Sequence, residues 1–254
     1  MLLKDKVAIV TGGSYGIGRG IAQVFAENGA EVIICARGVR RLDETVEIIQ
    51  KNTGKKIKQR VCDVSKRIEV EALAAYAMEE YGRVDILVNN AAIQKFYPLL
   101  EMPDAIWDDH FAINVKSVFL CTQVFGQEMV KAGKGKIINI ASDSGSAPLP
   151  DNASAYCATK AAVISLTRNA AKELGPLGIY CNCISPGAIG DTAMMDYFID
   201  YTKGEGLQHC IEGAALRRLG TPAEIGNVAL FLASELSGFI AGENILVTGG
   251  DLMR

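Results

Sequence analysis

The alternation of strand-length and helix-length segments, sustained from one end of the chain to the other, restricts the fold more than any other feature. Apolar runs of strand length fall at 7–10, 32–35, 57–62, 86–88, 136–140, 179–184 and 245–247. Segments of helical length separate them at 16–28, 39–51, 66–81, 104–131, 153–174 and 222–234. Continuous apolar runs suit strands buried on both faces, and a helix between successive strands is the crossover that parallel pairing requires. The expected class is α/β: a doubly wound parallel sheet in a three-layer α/β/α arrangement. Pro103-Asp104 and Thr221-Pro222 support two of the helix starts, the second as an N-cap followed by proline at the first helical position.

No low-complexity linker or internal repeat divides the 254 residues, so one domain spanning 1–254 is expected. With 26 basic and 29 acidic side chains and no basic stripe, nucleic acid is not expected as a partner. Charges at Lys4, Asp5 and Lys6 come too early for a secretory leader, and no run reaches the roughly 18 apolar residues of a membrane span. A soluble, cytoplasmic protein without membrane association is expected. Seven cysteines form no Cys-x-x-Cys pair, and Cys181 and Cys183 read as two positions on one face of a strand. With His110 and His209 the only histidines, no metal is expected.

Thr11-Gly12-Gly13-Ser14-Tyr15-Gly16-Ile17-Gly18 follows the first strand and opens the first helix. In that context Gly12 allows the tight turn, Gly16 lets backbone approach a pyrophosphate, and Gly18 permits close helix-to-strand contact. The helix N-terminus then faces the phosphates. Residues 188–213 break the alternation at the end of the sheet where such folds bind ligands, and are expected to cover the substrate. Gly187, Gly190, Gly204, Gly206 and Gly213 would let this segment open and close; a static surface insertion is the alternative.

Tyr156 and Lys160 lie one helical turn apart, where an ammonium can make a phenol more acidic. Alone the pair carries little information, and Ser142, in Ser142-Asp143-Ser144-Gly145-Ser146, reads equally well as a turn residue. The combination is more telling. Thr-Gly-x-x-x-Gly-Ile-Gly at 11–18, Asp63, Asn-Asn-Ala-Ala at 89–92, Asn114, Ser142, Tyr156 with Lys160, Pro186-Gly187 and Leu219-Gly220-Thr221-Pro222 occur in one order. This set resembles the short-chain dehydrogenase/reductase family over nearly the whole chain.

The resemblance implies a seven-stranded Rossmann fold, a homotetramer, and a catalytic tetrad of Asn114, Ser142, Tyr156 and Lys160. It places a nicotinamide dinucleotide against Gly12, Ser14, Tyr15, Gly16, Ile17, Arg37, Asp63, Val64, Asn90, Ala91, Tyr156, Lys160, Pro186, Gly187 and Ile189. Substrate would meet Ser142, Ser144, Gln94, Tyr156 and Met194. Tyr156 would exchange a proton with the substrate oxygen while hydride moves to or from the nicotinamide; lowering a phenol from near pH 10 to about 7 takes about 4 kcal/mol. Asn114 would belong to a water-mediated proton path through Lys160, with a helix-interior Asn satisfied by backbone as its plainer reading.

Ala36 stands where NAD-preferring relatives carry an acid, and Arg37 beside it can pair with a 2′-phosphate, so NADP(H) is favoured and NAD(H) is the alternative. Tyr15 occupies a position where many NADP-using relatives have a second basic residue. Asp63 is expected to meet the adenine or to cap the helix near Lys66. Thr192 comes one residue later than the family's threonine, and the interval from Ser142 to Tyr156 is one residue longer than the family's, which places an insertion within 146–155. Around the substrate, polar Gln94, Lys95, Asp143, Asp151, Asn152, Lys203, Glu205 and His209 mix with apolar Phe96, Leu149, Met194, Met195 and Phe198. The expected substrate is a small polar sugar, polyol or sugar acid. A lipophilic ketone or steroid is the alternative if the apolar set lines the pocket. A 3-oxoacyl thioester reductase is a rival, docking an acidic carrier protein through Lys131, Lys134 and Lys136, although Leu177 stands where such reductases often place arginine. A non-catalytic nucleotide sensor is a rival of another class. Apolar residues on two long helices (Val115, Val118, Phe119; Ala158, Ala161, Ala162, Val163) point to a subunit interface.

Overall fold

The computed structural model describes residues 1–147 and 152–251. Seven strands, β1 (Val7–Thr11), β2 (Glu31–Ala36), β3 (Lys58–Val61), β4 (Ile86–Asn89), β5 (Gly135–Ile140), β6 (Ile179–Pro186) and β7 (Asn244–Val247), form one sheet in the order β3-β2-β1-β4-β5-β6-β7. Every pair is parallel. The expected strand at 57–62 shortens to Lys58–Val61 on the sheet edge, where Arg60 and Val61 are exposed.

The helices are α1 (Gly16–Glu27), α2 (Val39–Thr53), α3 (Arg67–Tyr81), α4 (Asp104–Phe111), α5 (Ser117–Ala132), α6 (Ser154–Leu174), α7 (Ala193–Tyr201), α8 (Glu205–Gly213) and α9 (Pro222–Ala233). The single helix expected over 104–131 is interrupted by a π turn, Ala112–Lys116, between α4 and α5. Thr221 caps α9 as expected: its hydroxyl accepts the Glu224 N–H, while the Glu224 carboxylate accepts the Thr221 N–H.

Strand residues alternate between the two faces. Ala8, Val10, Val32, Ile34, Val88 and Ile138 pack with Ile21 and Phe25 of α1, Leu42 of α2, and Ile225 and Leu232 of α9. Ile9, Ile33, Leu87, Ile137 and Cys181 pack with Leu73 of α3, Leu120 and Phe125 of α5, and Ala170 of α6. Phe25 and Phe125 are fully buried, one on each face; each such side chain stabilises the fold by about 1.5–3 kcal/mol. Among the described residues no helix is long and apolar enough to cross a membrane. The order of crossovers reverses between β1 and β4, so the carboxyl ends of these strands frame a crevice at the switch point.

Candidate active site

That crevice is a cavity of about 860 Å³. The glycine turn forms its floor. Gly12 has φ +63, and a Cβ on Gly18 would lie 2.3 Å from the Gly12 carbonyl oxygen, so α1 can begin this close to β1 only without a side chain there. Gly16 also has positive φ, and its missing Cβ faces Thr192 Cγ2 at 3.1 Å, so it admits the chain before α7 as well as an approach to phosphate. Thr11 Oγ1 donates to Val88 O and accepts the N–H groups of Asn90 (2.9 Å) and Ala91 (3.1 Å). Asn90 Nδ2 donates to the carbonyls of Thr11 and Gly12, so this amide braces the turn. No side chain caps α1 and its first turn holds no acid, so its free N–H groups and dipole suit a phosphate. A dinucleotide fits this donor set.

Every residue that the family resemblance assigns to catalysis, cofactor or substrate lines this cavity except Asn114. At the adenosine end, Arg37 is joined by Arg41 from the first turn of α2, whose guanidinium stands 5.5 Å from the Tyr15 ring centroid. Asp63 Oδ1 accepts the N–H and hydroxyl of Ser65, and Lys66 is the N-cap of α3, so Asp63 is not the capping residue. Burial raises its carboxyl, but the Ser65 bonds together with Lys66 and Arg37 leave it below the usual range.

At the other end β5 and α6 bring Ser142, Tyr156 and Lys160 together, all buried. Lys160 Nζ donates to Ile140 O at 2.8 Å and lies 5.5 Å from the Tyr156 ring centroid. Burial lowers Lys160 to about 8. Burial also pushes the Tyr156 phenol well above its usual range; the Ser142 hydroxyl lowers it in part and Asp143 raises it. The expectation that Lys160 acidifies Tyr156 therefore meets a larger opposing effect, the low polarity of the site. Ser142 Oγ donates to Asp143 Oδ1 at 2.9 Å and shares a short hydrogen bond with Ser144 Oγ. Burial holds the Asp143 carboxyl above the usual carboxylate range, with Asp251 adding to it, against the bonds from Ser142 and Ser144.

Asn114 sits in the π turn. Its Oδ1 accepts Ile93 N–H at 2.8 Å, and its Nδ2 donates to Ile93 O at 2.9 Å and Thr159 Oγ1 at 3.1 Å. Thr159 Oγ1 in turn donates to Tyr156 O, so Asn114 ties the segment after β4 to the helix carrying Tyr156 and makes no direct bond to Lys160. His110 is likewise structural: Nδ1 bonds Ile106 O and Nε2 accepts Lys95 N–H.

Residues 188–213 contain α7 and α8, which place Met194, Met195, Phe198, His209 and Cys210 on the cavity wall. Thr192 is the N-cap of α7, accepting Met195 N–H at 3.1 Å. Phe96 does not line the cavity; its ring stacks on Tyr197 and Tyr201 at centroid distances of 5.6 and 4.4 Å, clamping α7 to the segment after β4. Among the suggested hinge glycines only Gly204 has positive φ; Gly206 and Gly213 are sites of close packing against Phe198 and Asp251. Lys95, Asn152, Lys203 and Glu205 do not line the cavity, and Leu149 and Asp151 lie outside the described residues. Two charged lining residues, Arg41 and Asp251, escape the sequence reading. Arg41 had a visible signal, the basic first turn of α2; Asp251, after the positive-φ pair Gly249-Gly250, had none.

The sequence model of a family described as Enoyl-(Acyl carrier protein) reductase matches residues 12–251. A 3-oxoacyl-acyl-carrier-protein reductase of Chlamydia muridarum is 40% identical over 250 residues, covering 98% of both chains. Dehydrogenase/reductase SDR family member 4 of Sus scrofa is 36% identical over 253 residues, covering 99% of this chain and 89% of that one. A crystal structure of an actinorhodin polyketide ketoreductase with NADPH superposes with a TM-score of 0.92 at 31% identity, covering 96% of each chain. Likeness of this extent, on a seven-stranded parallel sheet, makes the chain a member of the short-chain dehydrogenase/reductase family, NAD(P)-dependent oxidoreductases acting on CH–OH groups.

Proposed function

We propose that this protein interconverts a secondary alcohol and a ketone on a small polar substrate, with NADP(H) as its preferred cofactor. One observation carries the reading: Tyr156, Ser142 and Lys160 are buried side by side where the cavity passes from the glycine turn to the wall made by α7 and α8. In reduction the Tyr156 O–H donates its proton to the substrate oxygen, and in oxidation the phenolate removes it. Ser142 Oγ holds that oxygen in place. Lys160 provides a positive charge below the phenolate, opposing the effect of burial. When bound, the nicotinamide supplies or accepts the hydride, and in oxidised form adds a second positive charge.

Arg37 and Arg41 support NADP(H). Two guanidiniums at the adenosine end suit a 2′-phosphate, and Arg41 supplies the second charge that Tyr15 lacks. Initial rates with NADPH and NADH against matched polar ketones, lipophilic ketones and a 3-oxoacyl thioester test the reading: a preference for NADPH and polar ketones supports it, and turnover confined to thioesters or lipophilic ketones overturns the substrate class.

The thioester reading is favoured by the Chlamydia relative's name. Its docking patch is weak, however. Lys136 is buried, with Nζ on Ser237 Oγ and over the Tyr180 ring, and Lys131 pairs with Glu128. For assembly we propose a cytoplasmic homotetramer. Val118 and Val163, expected at an interface, lie in the core, but Leu99, Leu100, Trp107 and Phe119 remain exposed around α4 and α5. A monomeric mass by light scattering would exclude it.

A further inference from the structure

We propose that Asp143 sets the charge of the substrate, so that the pocket takes neutral polyhydroxylated or ammonium-bearing ketones and alcohols and rejects carboxylates, sugar acids included. This rests on the alcohol–ketone reading of the same site. Asp143 directly follows Ser142, and its Oδ1 accepts both the Ser142 hydroxyl at 2.9 Å and the Ser144 N–H at 2.7 Å. Those bonds fix a negative charge next to the hydroxyl that holds the substrate oxygen. The other carboxylate oxygen faces the Gly187 position, 3.3 Å from where a Cβ would stand. A second carboxylate, Asp251, lines the same cavity, 2.7 Å from the position of a Gly213 Cβ on α8.

Among the described lining residues, Lys160 is the one lysine or arginine at this end, and its Nζ is turned to Ile140 O rather than to either carboxylate. Arg37 and Arg41 lie at the adenosine end. His209 is exposed at the rim. A substrate carboxylate one or two bonds from the reacting carbon would sit about 6 Å from Asp143. At an effective dielectric of about 20 the repulsion lowers kcat/KM about 100-fold. An ammonium at the same place gains from the same charge, and hydroxyl groups find strong acceptors in the carboxylate oxygens.

The test uses three ketones of one skeleton, 4-hydroxy-2-butanone, acetoacetate and 4-amino-2-butanone, with NADPH at about pH 8, on the alkaline side because burial raises the Asp143 carboxyl. Wild type is expected to favour the neutral and ammonium ketones over acetoacetate by about 100-fold in kcat/KM. Asp143→Asn retains the acceptor for Ser142 and Ser144 but removes the charge. It should reduce that ratio to under about 10-fold, chiefly through KM for acetoacetate. A merely structural role for Asp143 would slow all three ketones alike and leave the ratio fixed. Asp251→Asn, at the exposed mouth, should reduce the ratio about 3-fold and provides a second readout if the first variant fails to fold. A wild-type preference for acetoacetate, or a ratio unmoved by both variants, overturns the proposal. Turnover of none of the three by wild type would instead refute the small-polar-ketone reading, and this proposal with it.

Discussion

Replacing Lys160 with methionine should stabilise the protein at neutral pH while abolishing turnover. The amine titrates near 10.5 in the unfolded chain and at about 8 in its buried position. Below about pH 8 the folded state therefore carries the full penalty of a desolvated ammonium, about 3 kcal/mol at 1.36 kcal/mol per pH unit. Between 8 and 10.5 the unfolded state binds more protons than the folded state, so the penalty shrinks as pH rises, and above 10.5 it vanishes. Methionine fills similar space without charge but loses the 2.8 Å bond to Ile140 O, a loss of about 1–2 kcal/mol. The net expectation is a gain of about 1–2 kcal/mol at pH 7 that reverses to a small loss near pH 10.5. Urea denaturation of both proteins at the two pH values measures it. A variant less stable than wild type by the same amount at both pH values would show that burying Lys160 costs the fold nothing, and the reasoning would fail.

Arg37→Ala and Arg41→Ala should each raise KM for NADPH about 10-fold or more while leaving KM for NADH within about 3-fold, read from initial rates with both cofactors. Gly18→Ala places a methyl 2.3 Å from the Gly12 carbonyl oxygen, so it should cost about 2–3 kcal/mol in denaturant melts and weaken NADPH binding measured by fluorescence. Phe96→Ala removes the ring clamped by Tyr197 and Tyr201; thermal melts should show about 2–4 kcal/mol of destabilisation, and KM for the ketone should rise more than kcat falls, because α7 loses its anchor over the cavity.

The sheet and most helices were legible because their signals are local. Runs such as Val7 to Val10 are apolar on both faces, and Thr221-Pro222 with Glu224 announces a helix start in three residues. The π turn at Ala112–Lys116 was not, since one extra residue in a turn shifts the helical phase too little to interrupt the apolar pattern. The two short helices over the cavity were hidden by glycines that read as loop: Gly204, in the left-handed region, is the N-cap of α8, and Gly206 packs against Phe198. The polar character of that segment is also misleading, because Lys203 and Glu205 do not line the cavity while Asp251, 46 residues beyond Glu205, does. The basic first turn of α2 is visible as charge in the sequence, but that Arg41 rather than Arg40 joins Arg37 at the cavity depends on how α2 leaves β2, which the one-dimensional pattern does not contain.

The most direct test of the account separates binding from chemistry at one atom. Tyr156→Phe removes the phenolic oxygen and keeps the ring packed beside Lys160. NADPH binding followed by fluorescence should stay within about 3-fold of wild type while ketone reduction falls at least about 1,000-fold, because the proton donor is gone and the cavity is not. Retention of ketone turnover in Tyr156→Phe would contradict the assignment of Tyr156 as the acid/base.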